Sequence, residues 1–206
     1  VDFETTNRRA IAGKDYVARD GTVTFRPGET QTFINVPIIG DTRYERLERF
    51  GITISNPTES RLGDPRSIVT IRDNDPLPRV SISDRRILEG DRGRKFARFV
   101  VTLDRPSRVL ALMRYRTIPG TATVANQDFV ARQGRIGFLP GQQRKVINVP
   151  ILGDTRNEAT EIFRVQLFGI RNAVGRDRIG VGRILNDDRR TRTTAQAASI
   201  TGVTRV

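Results

Sequence analysis

The sequence predicts an all-β fold, two antiparallel immunoglobulin-like β-sandwiches in tandem with the first incomplete, and three observations carry that reading. Nearly all of Asp15 to Asp75 is written a second time at a constant offset of 113 residues. Asp15-Tyr16-Val17-Ala18-Arg19 returns as Asp128-Phe129-Val130-Ala131-Arg132, and Ile34-Asn35-Val36-Pro37-Ile38 as Ile147-Asn148-Val149-Pro150-Ile151. A fixed register over that length means two copies of one domain. Within each copy, short runs alternate apolar and polar residues and close on turn signals such as Pro27-Gly28 and Pro140-Gly141, the period of half-buried strands. No stretch carries a convincing helical period. Short strands at regular spacing predict a sandwich of about seven strands per complete copy.

The elements follow in order. Val1 to Thr6 alternates weakly and reads as a strand, with Met113 to Thr117 as its counterpart. Thr22-Val23-Thr24-Phe25, matched by Arg135-Ile136-Gly137-Phe138, is a short strand closed by a Pro-Gly turn. Ile34, Val36 and Ile38, matched by Ile147, Val149 and Ile151, form the apolar face of the next. Pro37 and Pro150 recur inside it; proline donates nothing to a ladder, so this strand belongs at an edge or a bulge. The Asp41 to Glu48 loop has room for a helical turn. Phe50, Ile52 and Ile54 answer to Phe163, Val165 and Leu167, and Ile68 to Ile71 to Val181 to Ile184. Two further strands, Val80-Ser81-Ile82 and Phe96 to Leu103, stand only in the second copy. The expected organisation is an N-terminally truncated domain over 1–75, a stiff Pro-containing linker over 76–79, a complete domain over 80–188, and a disordered tail or the start of a next unit over 189–206.

Composition narrows the chemistry. The 206 residues contain no cysteine and no histidine, which removes disulfides, thiol nucleophiles, zinc and haem ligation, and any histidine base. The formal net charge of +13 is uneven. Residues 1–77 carry 11 basic and 12 acidic side chains, residues 78–188 carry 21 and 11, and the last 18 carry four arginines and no acid. Only Lys14, Lys95 and Lys145 are lysines. The bias reads either as a polyanion-binding surface or as arginine spread over solvent-facing strand positions, and nucleic acid is not an expected partner because stacking aromatics do not interleave with the arginines. No run of 18 apolar residues exists, so no membrane-spanning helix is expected. The chain opens on Val1 with no visible signal peptide, as a piece of a longer protein would.

Against this basic background, acids gather at strand ends. Glu89, Asp128, Asp154, Glu158, Glu161, Asp187 and Asp188 lie in loops or at strand ends of the second copy, and a sandwich collects such loops at two poles. The first copy offers Asp15, Asp41, Glu45, Glu48, Asp73 and Asp75 at corresponding places. Converging carboxylates repel and raise one another's pKa unless a cation sits between them. A hard divalent ion, calcium above all, meets that need with six to eight oxygens. The other solution is arginine pairing, since Arg43, Arg46, Arg49, Arg72 and Arg156 stand in the same loops. No nucleophile or substrate cleft accompanies the acids, so no enzyme is expected.

The motifs Glu89-Gly90, Gly120-Thr121-Ala122, Asp128-Phe129, Phe138-Leu139-Pro140-Gly141, Glu158-x-x-Glu161-x-Phe163 and Asn186-Asp187-Asp188 together resemble the Calx-β domain. The resemblance covers nearly all of 80–188 and, without the first strands, 1–75. It implies a seven-stranded sandwich that binds Ca2+ at one pole through the thirteen acids just named. Two departures imply fewer ions or weaker binding. Gly40 and Gly153 stand where the best calcium binders carry another acid, and Asp73-Asn74-Asp75 and Asn186-Asp187-Asp188 replace a full acidic triplet. The expected function is a non-enzymatic calcium-binding repeat module, a calcium-stiffened spacer or adhesion segment of a larger surface or secreted protein. Its expected setting is extracellular. Its expected partners are calcium ions, neighbouring repeat domains, and acidic polysaccharide or another surface protein. A basic polyanion-binding module and a calcium-independent spacer are the alternatives.

Overall fold

The computed structural model describes residues 1–188, and the tail expected beyond Asp188 lies outside the described residues. The thirteen strands in chain order are β1 (Asp2–Thr6), β2 (Asp20–Thr22), β3 (Glu48–Ser55), β4 (Arg66–Ile71), β5 (Arg79–Ile82), β6 (Arg85–Leu88), β7 (Gly93–Leu103), β8 (Ala111–Pro119), β9 (Gln133–Phe138), β10 (Arg144–Gly153), β11 (Glu161–Arg171), β12 (Val174–Asp177) and β13 (Ile179–Leu185). They make three sheets, ordered β2-β1-β3-β4, β10-β7-β5-β12 and β6-β13-β11-β8-β9.

The second copy is a complete two-sheet sandwich built from the last two of these. Its core takes alternate residues from both sheets: Phe99 and Val101 of β7 and Val149 and Ile151 of β10 meet Met113 of β8, Phe138 of β9, and Phe163, Val165 and Leu167 of β11. Gly182 of β13 has no side chain because the Phe163 ring lies where its Cβ would stand. The copy has nine strands, more than the seven or so expected, because its first strand is broken. β5 joins one sheet and, after Ser83 and Asp84, β6 crosses to the other, where it runs parallel to β13. β12 adds a second parallel pairing, beside β5. The proline strand falls at an edge of its sheet as its chemistry requires, with β10 paired to β7 along its length, Pro150 opposite Phe96, and the short segment 128–130 bonded to its other side.

The first copy contributes one sheet. Its order β2-β1-β3-β4 repeats β9-β8-β11-β13 of the second copy. The expected strand through Ile34, Val36 and Ile38 does not form, and Val23 to Phe25 falls outside β2. The reason is the missing partner: β10 exists by bonding to β7 along ten residues, and the first copy has no counterpart of β7 among the described residues. Packing follows suit. Phe138 is 1% exposed and its equivalent Phe25 is 48% exposed. The buried core of the first copy reduces to Ala10, Tyr16 and Phe50, with Val36, Ile52, Val69 and Ile71 packed against it. No helical turn forms between Asp41 and Glu48.

Two equivalent substitutions separate a formed core from an unformed one. Ile147→Ala lowers stability by about 2–5 kcal/mol in denaturant unfolding, while Ile34→Ala at the same repeat position costs well under about 1 kcal/mol.

Candidate calcium site

Both copies build the same acidic pole on the same aromatic floor. In the second copy the rings of Phe129 and Phe163 stack with centroids 4.7 Å apart; in the first, Tyr16 and Phe50 stack at 4.2 Å. Asp128 and Asp15 immediately precede one ring of each pair, and Glu161 and Glu48 stand two residues before the other, on the same face of the strand. Stacking the rings therefore brings the carboxylates together. Backbone bonds hold the aspartate segments in register: Leu152 N–H donates to the Asp128 carbonyl at 3.1 Å, and Ile39 N–H to that of Asp15 at 3.0 Å. The loop glutamates Glu158 and Glu45 complete each group. Asp128, Glu158 and Glu161 bring carboxylate oxygens within 4.8 Å of one another, and so do Asp15, Glu45 and Glu48.

The electrostatic cost is visible in the acids. At the second pole burial, then the Asp128 charge and a hydrogen bond to it, pushes Glu161 up to about 7. Burial, then Asp154, Glu158, Asp128 and Asp188, pushes Glu89 up to about 7. Glu158 is raised by burial with Asp154 and Asp128 facing it. Asp188 is raised by burial with Asp91, Asp187 and Asp154 nearby, and its Oδ2 is buried without a hydrogen-bond partner among the described residues. At the first pole Glu45 rises to about 7, chiefly through burial and against the pull of Arg108, and Glu48 rises through burial and Asp15.

Of the thirteen acids expected from sequence, the six of the first copy, Asp15, Asp41, Glu45, Glu48, Asp73 and Asp75, line one crevice. Asp73 is partly spent there, since its Oδ2 accepts from Glu45 N–H at 3.1 Å. In the second copy Glu89, Asp128, Asp154, Glu158, Glu161 and Asp188 feel one another's charge. Asp187 accepts from Gly90 N–H at 2.7 Å and so ties β6 to the pole. The acid absent at position 153 has a steric cause: a Cβ there would run into the Gly90 carbonyl. Gly40, which faces no such strand, has open space.

The arginines that the loops offered do not neutralise the first pole. Among the described residues none of Arg43, Arg46, Arg49 or Arg72 makes an ion pair, and Arg156 meets only Asp154, at 3.9 Å. The cation that arrives comes from the other copy and was not foreseen. Arg108, in the loop between β7 and β8, reaches Asp15 at 2.9 Å, Asp41 at 3.1 Å and Glu45 Oε1 through Nε. Its loop is seated by Arg108 N–H donating to the Tyr44 carbonyl at 3.1 Å and by Ser107 Oγ donating to the same oxygen at 3.3 Å. Position 108 has no equivalent in the first copy, so the repeat could not point to it.

Comparison with known proteins decides the family. The model of the Calx-beta domain matches residues 1–75 and again 78–181. The chain belongs to the Calx-beta family. Calx-beta domains are calcium-binding modules and not catalysts, and Ca2+ is the cofactor that membership carries. Curated relatives include sodium/calcium exchanger 3 of Mus musculus, 28% identical over 193 residues, covering 83% of this chain and 21% of the relative. Sodium/calcium exchanger 1 of Bos taurus is 30% identical over 186 residues, covering 81% and 19%. This chain thus spans about a fifth of the length of the curated relatives it matches. A solved apo-form Calx CBD1 domain matches with 28% identity and a TM-score of 0.47, covering 55% of this chain and 100% of that one. The expected extracellular or secreted setting does not stand, because the curated relatives that carry the resemblance are sodium/calcium exchangers.

The raised carboxyls fix a pH dependence. An acid whose folded pKa lies above its unfolded value of about 4.5 takes up a proton on folding, so stability falls as pH climbs from about 4.5 through about 7. In chelator the Calx-beta module therefore melts at lower temperature at pH 8 than at pH 5. Glu161→Gln and Glu89→Gln each flatten that slope.

Proposed function

We propose that the two Calx-beta domains, bounded at 1–75 and 80–188 and joined by a linker over 76–79, are calcium-responsive modules of a larger protein. We propose that their ligands are the thirteen acids of the two poles, centred on Asp128, Glu158 and Glu161 and on Asp15, Glu45 and Glu48. The observation that carries this is the repeated trio of carboxylates, held by packing closer than their charge favours. The donors suit the ion: all are hard oxygens on loops and strand ends, matching calcium's flexible oxygen coordination. Bound calcium would neutralise the acids of the second pole, where the one cation paired with them among the described residues is Arg156, 3.9 Å from Asp154.

The relatives, being ion exchangers, support a regulatory setting over an adhesive one. Arg108 supports a role for the angle between the domains. Arg108 of the second domain braces the first through Asp15 and Glu45, two of the trio calcium would take. Calcium at the first pole and Arg108 compete for the same oxygens. A calcium-independent brace is thus the second reading for that pole, and the second pole has no such substitute.

Thermal unfolding tests the assignment. Calcium at a hundred times its dissociation constant adds about 2.7 kcal/mol to the folded state, and Asp128→Asn/Glu161→Gln removes the part of that gain belonging to the second pole. No gain in the unmodified chain contradicts the assignment. The competition has its own check in calcium titration calorimetry: Arg108→Gln tightens the first pole's binding several-fold and leaves the second pole's unchanged.

A further inference from the structure

We propose that the outward face of the five-stranded sheet β6-β13-β11-β8-β9 is a docking surface for the anionic headgroups of a phospholipid bilayer. Strand register, more than composition, carries this. Side chains alternate across a sheet, and the residues turned away from the core include Arg86 of β6, Arg183 of β13, Arg164 of β11, Arg114 and Arg116 of β8, and Arg135 of β9. All six are exposed. No acidic residue occupies an outward position on these five strands, and none of the six arginines makes a salt bridge among the described residues.

The arginines are also set side by side. Arg114 pairs directly with Arg135 across β8 and β9, and Arg183 with Arg86 across β13 and β6. Like charges opposite each other in a sheet are destabilising, so the arrangement suits a surface that meets a partner of opposite charge. The remaining outward residues choose the partner. Leu88 and Leu112 on the same face are 52% and 40% exposed, and aliphatic groups between arginines fit the boundary of headgroups and acyl chains. The one aromatic ring on the face, Phe168, is covered by the Arg116 guanidinium at 5.5 Å, leaving no platform on which a nucleic-acid base could stack. Guanidinium forks match the phosphate oxygens that every such headgroup presents. The face lies on the second copy, where the excess of base over acid is concentrated.

The test is cosedimentation of the whole chain with vesicles of phosphatidylcholine mixed with phosphatidylserine, and of phosphatidylcholine alone, with chelator present so that calcium cannot bridge protein to lipid. The chain binds the mixed vesicles and not the neutral ones. Arg114→Gln/Arg135→Gln weakens that binding roughly 30-fold, from about five-fold per arginine at an anionic surface. Arg86→Gln/Arg183→Gln does the same. Arg98→Gln/Arg144→Gln, an equal loss of charge on the opposite sheet, changes it less than about three-fold. Both face variants melt no lower than the unmodified chain, because each relieves a like-charge pair. Failure to bind mixed vesicles overturns the proposal. Equal weakening by all three pairs overturns it too, by assigning binding to net charge. A single-stranded oligonucleotide that displaces the chain from vesicles, and whose own binding is lost in the face variants, replaces lipid with nucleic acid as the partner.

Discussion

Everything at the two poles depends on rings that stack beneath acids that repel. The Phe129–Phe163 and Tyr16–Phe50 pairs are buried apolar contacts, and such pairs are favourable without regard to what their neighbours in sequence carry. Because an aspartate precedes one ring and a glutamate stands two residues before the other, packing the floor sets the spacing of the carboxylates above it. Glu161 and Glu45 answer by holding protons up to about pH 7. The pole is thus a place where the core's stability sustains an unfavourable charge arrangement, and on the proposed assignment a divalent cation would convert that arrangement from a cost into a contribution.

The two copies meet the same problem differently. The second has a whole sandwich beneath it and leaves Asp188 with a buried oxygen unpartnered among the described residues. The first has a single sheet and a core of three buried residues, yet its pole receives a guanidinium. Arg108 therefore links two facts that look unrelated, the neutralisation of one site and the attachment of one domain to the other. If the first pole takes calcium as proposed, an arginine that serves as a domain brace and as a countercharge would make its affinity a function of domain arrangement, and the reverse would hold by linkage.

Much of this was legible in the chain, and the rest was hidden for identifiable reasons. The 113-residue repeat located both trios, because Asp15, Glu45 and Glu48 map without a gap onto Asp128, Glu158 and Glu161. Alternation located most strands, and Pro150 placed β10 at an edge. The strand expected through Ile34 failed because alternation reports which residues could form a strand, while forming one requires a bonded neighbour. The break between β5 and β6 was silent because a strand that changes sheets keeps its apolar residues. Arg108 was invisible for a different reason: it serves a site in another domain, and no local pattern marks it. The arginine face required register, since the same residues read along the chain look only like a compositional bias.

The central claim is that calcium replaces protons at carboxylates crowded by packing. Titration calorimetry near pH 7 in buffers of different ionisation enthalpy measures it most directly, by counting protons released as calcium binds. The account predicts a heat that depends on the buffer near pH 7, showing protons displaced, and a dependence that fades above about pH 8.5 where the carboxyls are already ionised. Calcium binding with a buffer-independent heat at pH 7 would contradict it.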